Sequence, residues 1–380
     1  MVMTPFDKPI YTTKPLLPPL ESLIPRLQDI WSCCWLTNDG PQSQILEKRL
    51  AEYLGTPHAY LFNNGTVALT IALKALDLKG EVITTPFTFA ATPHSLSWNN
   101  ITPVFVDIDP ISMTLDPACI EAAITPQTTG ILGVHVYGIP CHVEAIEKIA
   151  SHHGLKVIYD AAHAFGTCIN NTPISQYGDI SMFSLHATKL FHTAEGGVLT
   201  FHDENLKKHI YSLRNFGLMG DEISSIGTNG KLNELQAALG LSVFECINVE
   251  REKRKQIKSY YYEYLNDIEG LHFIREPQNV ESSYQYFPIR IDAKHFGCTR
   301  DELCEKLKQY NIIARRYFYP LCSSSFHYSH LASASSTNLP IAHQMVKEVM
   351  CLPFYGDLNL NTIEQICNII IDLHINSLRR

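Results

Sequence analysis

The 380-residue sequence lacks several features that define whole classes of protein. It has no run of roughly eighteen apolar residues, so an ordinary membrane-spanning helix is not expected. Charged side chains make up only 18% of it, too few for a disordered chain. The 30 basic residues are outnumbered by 38 acidic ones, and this net charge of −8 argues against a nucleic-acid-binding protein. Residues 1–19 lack the apolar core of a secretion signal, so we expect a cytoplasmic protein.

Motifs for metal binding and for disulfide frameworks are also missing. Neither C-x-x-C nor H-E-x-x-H occurs, so zinc-ribbon, thioredoxin and metalloprotease interpretations have no support and we expect no metal. The 11 cysteines are scattered, and an odd number cannot all pair within one chain. They are therefore interpreted as free thiols.

The sequence does contain enough apolar residues, 45% of the total, for a large core. Between residues 59 and 200, short β-branched runs alternate with amphipathic stretches of helical period. This alternation predicts crossover units and a mostly parallel sheet, whose ligands lie at the carboxyl ends of the strands. The predicted strands are 59–62, 81–85, 103–107, 130–135, 156–160 and 180–184, and the predicted helices between them are 66–76, 117–124 and 143–153.

The pattern changes after residue 230. Residues 231–266 read as one long helix with a charged, solvated middle, followed by a smaller α+β portion with a strand at 284–291 and helices at 300–309, 341–350 and 361–373. The long helix is a natural bridge between two units. We therefore predict a large domain over 1–245, including an N-terminal arm, and a small C-terminal α+β domain over 246–380.

Two residues near predicted strand ends suggest a specific chemistry. Asp160 ends one strand, and Lys189 follows the next, ahead of the glycine pair Gly196-Gly197. A buried acid needs a cationic partner. A lysine that can form a Schiff base and an aspartate that can hold a pyridinium nitrogen are the two protein groups that pyridoxal phosphate chemistry requires.

Other parts of such a site can be sought in the sequence. Asn64-Gly65-Thr66 opens a predicted helix after a strand, and helix N-termini favour anions such as phosphate, although a simple helix cap explains the same residues. Ser184 could supply another phosphate hydroxyl. Phe89 could lie flat on a cofactor ring, although a lone aromatic is more often part of a core.

Six segments, in order along the chain, together resemble the DegT/DnrJ/StrS family of nucleotide-sugar aminotransferases. The segments are Asn64-Gly65-Thr66, Pro86-Phe87-Thr88-Phe89, Val104-Phe105-Val106-Asp107-Ile108-Asp109, Asp160-Ala161-Ala162-His163, Ser184-Leu185-His186-Ala187-Thr188-Lys189 and Gly227-Thr228-Asn229-Gly230-Lys231. The resemblance implies an α/β fold of the fold type I, aspartate-aminotransferase class, with a large, mostly parallel seven-stranded sheet. A branch of the family has His at the lysine position and removes a hydroxyl, so Lys189 favours transamination.

The resemblance also implies a role for each matching residue, with pyridoxal 5'-phosphate as cofactor and pyridoxamine 5'-phosphate as its aminated form. Lys189 would carry the cofactor and move a proton, and Asp160 would bind the ring nitrogen. His163 would lie near the ring hydroxyl and Phe89 would stack on the ring. The phosphate would be held by Gly65, Thr66, Ser184 and, from the neighbouring subunit of a homodimer with shared sites, Asn229.

A diphosphate-bearing substrate needs cations near the pocket. The candidates are Arg214 and the pair Arg315-Arg316, with Tyr317 and Tyr319 as possible sugar or nucleotide contacts, and a solvated or structural arginine is an equal alternative. The resemblance favours amino transfer from L-glutamate to C4 of dTDP-4-keto-6-deoxy-D-glucose for surface polysaccharide. UDP- or GDP-linked sugars and C3 amination stay open, as does a non-catalytic regulator of the same fold, which would be expected to lose Lys189 or Asp160.

Overall fold

The computed structural model describes residues 4–379. Within that range the chain forms twelve α-helices and seventeen strands. The helices are α1 (Leu20–Cys33), α2 (Pro41–Leu54), α3 (Gly65–Ala75), α4 (Ala91–Trp98), α5 (Pro117–Ile120), α6 (Val143–His153), α7 (Glu204–Arg214), α8 (Glu234–Leu265), α9 (Ala293–Phe296), α10 (Arg300–Gln309), α11 (Pro340–Glu348) and α12 (Leu360–Leu378).

The strands follow in the same chain order. They are β1 (Ile10–Tyr11), β2 (His58–Phe62), β3 (Glu81–Thr84), β4 (Thr102–Phe105), β5 (Thr128–Val134), β6 (Lys156–Asp160), β7 (Cys168–Ile169), β8 (Thr172–Pro173), β9 (Ile180–Ser184), β10 (Gly197–Phe201), β11 (Leu218–Met219), β12 (Glu222–Ile223), β13 (Leu271–Phe273), β14 (Val280–Glu281), β15 (Phe287–Ile291), β16 (Ile312–Ile313) and β17 (Val349–Leu352).

The main sheet has seven strands in the order β2-β10-β9-β6-β5-β3-β4. Every pairing in it is parallel except the two made by β10, which runs antiparallel to β2 and to β9. The predicted α/β class and mostly parallel sheet are therefore confirmed. Because the six other strands point the same way, their carboxyl ends share one edge, and the loops that carry Asp160, Ser184 and Lys189 meet there.

Several local predictions needed adjustment. The strand β10 was not among those predicted from the sequence; it begins at Gly197, the second residue of a glycine pair, and glycine is unfavourable in strands. The predicted helix 117–124 breaks into α5 and a short 3₁₀ turn over Glu121–Ala123. The predicted helix 341–350 ends at Glu348, and the buried residues after it pair with β15 as β17. Helices α1 and α2 were not predicted.

The long helix was predicted within a few residues of its observed bounds, but the prediction of a solvated charged middle was wrong, because Glu250, Arg251 and Arg254 are buried. It begins at Glu234, where the Asn233 side chain accepts a hydrogen bond from the Gln236 N–H, 3.0 Å away, as a helix N-cap. Its first half packs on the main sheet through buried residues such as Leu241 and Ile247. Its second half lies in a separate apolar core with the three-stranded sheet β13-β15-β17 and α12.

We propose that the two domains meet within α8, near residue 245, as the sequence suggests. The N-terminal segment reaches the second core, because β1 pairs with β16 in parallel. None of the helices in residues 4–379 is both long and apolar enough to cross a membrane.

Candidate active site

A cavity of about 240 Å³ opens at the carboxyl edge of the main sheet. Loops from the sheet form one side of it, and residues 286, 315, 317 and 318 from the C-terminal part form the other. It brings together nine candidate residues singled out in the sequence, which are Gly65, Thr66, Phe89, Asp160, His163, Ser184, Lys189, Arg315 and Tyr317.

Lys189 lies in the loop between β9 and β10, inside the cavity wall. Its backbone N–H donates to the His186 carbonyl oxygen at 2.8 Å, which forms a tight turn, and its Nζ lies 5.9 Å from the centre of the Tyr286 ring. Removal from water lowers the pKa of Lys189 to about 8, against the opposing attraction of Asp160. A lysine with that pKa is partly a neutral amine near pH 7 to 8, which is the form that attacks a carbonyl group.

Asp160 is the last residue of β6 and is 5% exposed. One carboxylate oxygen accepts from the Thr92 hydroxyl at 2.8 Å and the other from the Ala162 N–H at 3.1 Å. Burial raises the pKa of this carboxyl group, and the two hydrogen bonds and Lys189 oppose that shift. Within residues 4–379 no cationic side chain lies within 4.0 Å of it, so a cationic N–H from a bound group would complete its hydrogen bonding.

The N-terminus of α3 forms another wall of the cavity. The Asn64 side chain caps the helix by accepting from the Val67 N–H at 2.8 Å. The N–H groups of Gly65 and Thr66 have no protein partner within the described range. With the Ser184 hydroxyl nearby, these groups form a set of donors suited to a phosphate.

His163 is buried behind the cavity, where its ring stacks on Phe318 with the two planes within 3° of each other. Its Nδ1 accepts from the Tyr137 N–H at 3.3 Å. Burial holds the pKa of His163 well below its usual value. The imidazole is therefore neutral, with its proton on Nε2, and that N–H is a hydrogen-bond donor.

Arg214 does not reach this cavity, which corrects the prediction that it contacts substrate. Its side chain is 2% exposed and donates to Glu47 at 2.6 Å, to Asp39 at 2.8 Å and to the Leu61 carbonyl oxygen at 2.9 Å. The attraction of those carboxylates outweighs burial and raises the pKa of Arg214. Arg214 therefore has a structural role, in which it links α7 to α2 and to the loop before α2.

Of the other side chains predicted to contact substrate, some line the cavity and some do not. Arg316 pairs with Asp301 at 3.2 Å on the surface and stacks on the exposed Tyr319, and neither side chain lines the cavity. Arg315 does line it. Its guanidinium lies 4.6 Å from the centre of the Tyr317 ring and makes no hydrogen bond or ion pair with any of residues 4–379.

Asn229 lies outside the cavity of its own chain. Its side-chain oxygen accepts from Lys231 at 2.8 Å, and its carbonyl oxygen accepts from Asn63 at 3.2 Å. The predicted contact with a neighbouring subunit stays a prediction.

The site also depends on residues that the sequence did not single out. Thr92, which is fully buried and does not line the cavity, supplies a hydrogen bond to Asp160 from the first turn of α4. Tyr286 comes from the C-terminal part and sets its ring edge-on to His163 at 4.9 Å. Thr92 could have been found from its place three residues after Phe89, but nothing near Tyr286 in the sequence indicates that it faces the sheet.

A half-buried lysine and a buried aspartate lie together at the carboxyl edge of a seven-stranded α/β sheet, and the class of enzyme follows from comparison with known proteins. The chain belongs to the DegT/DnrJ/EryC1/StrS aminotransferase family, whose sequence model matches residues 21–371.

Relatives of known name match nearly the whole chain. It is 44% identical to a dTDP-4-amino-4,6-dideoxy-D-glucose transaminase of Shigella dysenteriae, over 97% of this chain and 100% of that protein. It is 45% identical to the transaminase of the same name from Escherichia coli, over 96% and 99% of the two chains. Among solved structures, DesI in the presence of its TDP-sugar product superposes with a TM-score of 0.93 at 34% identity, over 99% of this chain and 95% of that one.

Proposed function

We propose that this aminotransferase uses pyridoxal phosphate to move the amino group of L-glutamate to C4 of dTDP-4-keto-6-deoxy-D-glucose. The products are 2-oxoglutarate and dTDP-4-amino-4,6-dideoxy-D-glucose, an intermediate for surface polysaccharide. The observation that carries the proposal is the lysine–aspartate pair at the cavity of a chain 44–45% identical to two transaminases named for that product.

The residues of the cavity fit this cofactor. Pyridoxal phosphate, when bound, supplies an aldehyde for a lysine and a ring that accepts electrons. Asp160 would hold the ring nitrogen in its protonated form, because it is a buried carboxylate without a cationic partner among residues 4–379. The free N–H groups of Gly65 and Thr66, with the Ser184 hydroxyl, would hold the phosphate.

Two further side chains would orient the ring. The Nε2–H of His163 would donate to the ring oxygen, because its Nδ1 is already occupied by the Tyr137 N–H. Phe89 is 60% exposed where it borders the cavity, and a ring stacked on it would cover an aromatic surface that is otherwise in water.

Lys189 would act twice. Its neutral amine would first hold the cofactor. Once released by the incoming amino acid, it would move the α-proton of L-glutamate to the cofactor carbon in the first half-reaction, and a proton from that carbon to the sugar carbon in the second. Its pKa of about 8 leaves it able to accept and donate a proton near neutral pH.

Arg315 is the cation best suited to a substrate anion, since it borders the cavity without an anionic partner among residues 4–379. We propose that it binds a negatively charged group of the incoming substrate, a carboxylate of L-glutamate in one half-reaction or the diphosphate in the other. The guanidinium of Arg315 lies over the Tyr317 ring, 4.6 Å from its centre, and this cation–π contact helps to hold it in place.

We expect the enzyme to act as a homodimer with shared active sites. Large apolar side chains are exposed along α1 and the segment after it, including Trp31 at 66%, Trp35 at 50% and Leu36 at 54%. Such a row is typical of a subunit interface. Sedimentation equilibrium tests the proposal, because a monomer at micromolar concentration would contradict it.

The substrate is tested by separating the two half-reactions. The cofactor-loaded enzyme is first converted to its amine form with L-glutamate, freed of excess, and then mixed separately with dTDP-, UDP- and GDP-4-keto-6-deoxy sugars. We expect the absorbance of the aldehyde form to return fastest with the dTDP sugar, and NMR of the product to place the nitrogen on C4. Return with none of the sugars would contradict the substrate, and failure of L-glutamate to convert the cofactor would contradict the donor.

A further inference from the structure

The side chain of Gln285 bonds the backbone on both sides of Lys189. Its Oε1 accepts from the Leu190 N–H at 2.6 Å, and its Nε2 donates to the Thr188 carbonyl oxygen at 3.0 Å. Gln285 is 2% exposed and precedes β15, nearly one hundred residues further along the chain. One amide group therefore fixes the two peptide units that flank the lysine.

The backbone around Lys189 is otherwise held by hydrogen bonds within its own loop, such as those that the Lys189 N–H and the Thr188 N–H donate to His186. Residues 185–196 form an irregular loop between β9 and β10. Within residues 4–379, Gln285 provides the hydrogen bonds made by the Leu190 N–H and the Thr188 carbonyl group. Only a side chain with both a donor and an acceptor at its tip can satisfy those two groups together.

Gln285 is itself held against the cavity wall. Its own N–H donates to the Ser283 hydroxyl oxygen at 3.3 Å, and that hydroxyl donates to the His163 carbonyl oxygen at 2.6 Å. The next residue, Tyr286, places its ring beside Lys189 and edge-on to His163. Segment 283–286 thus connects the C-terminal part of the chain to both the lysine loop and the loop after β6.

We infer that Gln285 is a positioning residue that sets the backbone of Lys189 so that its amine points at the reacting carbon. This inference rests on the proposed role of Lys189. A displacement of about 1 Å in a catalytic group can cost roughly a hundredfold in rate. The residue acts through the lysine and is not itself a catalytic residue.

The test replaces Gln285 by Met, which keeps the volume and removes both hydrogen bonds. A second variant, Gln285→Glu, keeps the acceptor for Leu190 and loses the donor for Thr188. The matched control is Gln365→Met, because the half-buried Gln365 also donates to a backbone carbonyl group, that of Thr4 at 3.1 Å, and neither residue lines the cavity.

Three measurements are made on each variant well below its melting temperature. Hydrogen exchange at the Leu190 amide, measured on the cofactor-free protein, reports the bond directly. The same protein is treated with an aromatic aldehyde and cyanoborohydride, and peptide mass spectrometry gives the rate at which Lys189 is modified. This rate reports how accessible and well oriented the Lys189 amine is. The single-turnover rate with L-glutamate is measured on the loaded enzyme.

We expect Gln285→Met to lose protection at Leu190 and to slow both lysine capture and single turnover by about tenfold to a hundredfold, with Gln285→Glu between it and the wild type. Wild-type rates in a folded Gln285→Met protein would overturn the inference, whether or not protection is lost. If that variant does not fold, the same criterion is applied to Gln285→Glu. If the wild type fails to react with L-glutamate, the proposed function fails, while the capture rates still decide the role of Gln285.

Discussion

Two of the regions that hold charge inside the protein treat it in opposite ways. At the corner where α7 meets α2, Arg214 is bonded to Asp39 and Glu47, so its charge is neutralised within the chain. At the carboxyl edge of the sheet, Asp160 and Lys189 face a cavity without an ion pair among residues 4–379. The first arrangement holds the fold together, and the second leaves charges for a bound molecule.

The strongest test of this comparison is the removal of the amine. We expect Lys189→Ala to lower the single-turnover rate with L-glutamate by about 10³-fold or more, because both nucleophile and proton carrier are lost. Its urea unfolding midpoint should not fall, since no ion pair is broken. An active Lys189→Ala enzyme would contradict the catalytic role proposed for the charges at the cavity.

The corresponding change in the other region is Arg214→Met. Removing one partner of a buried ionic network leaves Asp39 and Glu47 uncompensated and costs about 3–5 kcal/mol of unfolding free energy. Urea denaturation should show that loss, while the Michaelis constants of the folded fraction stay near the wild-type values. A raised Michaelis constant for the sugar with unchanged stability would restore the substrate role first predicted for Arg214.

The difference between these two regions also explains which site residues could be predicted from the sequence and which could not. The sequence could place Asp160, Lys189 and Asn64 near one another because Asp160 ends a strand and the other two lie in loops that follow strands, and parallel strands end at one edge of a sheet. Arg214 was misjudged because its partners lie 167 and 175 residues earlier in the chain, and no local pattern reveals a distant ion pair. Gln285 and Tyr286 were missed because their segment reaches the cavity only through the packing of the C-terminal part on the sheet.

Arg315 and Arg316 allow the same comparison between two neighbouring residues, one at the cavity without an ionic partner and one in a surface ion pair. We expect Arg315→Gln to raise a substrate Michaelis constant by roughly tenfold to a hundredfold, since a charge-assisted hydrogen bond contributes about 1.5–3 kcal/mol. Arg316→Gln should change it less than about twofold, because an exposed ion pair contributes little. Equal effects would show that a free cation at the cavity has no special role.

The last expected effect is on stability as a function of pH. In cofactor-free protein the pKa of Lys189 is lowered from 10.5 to about 8, so the unfolded chain binds more protons between these values and stability rises with pH in that window. We therefore expect Lys189→Met to be more stable than the wild type below pH 8 and to lose that advantage as the pH approaches 10.5. Parallel stability curves for the two proteins would contradict the lowered pKa.

The most direct test of the central claim is to locate the attachment of the cofactor. The protein is loaded with pyridoxal phosphate, reduced with borohydride to make the lysine linkage permanent, and mapped by peptide mass spectrometry. We predict the label on Lys189, with labelling lost in Lys189→Ala and weakened in Asp160→Asn. A label on another lysine, or none at all on the loaded protein, would contradict the assignment of this cavity as the catalytic site.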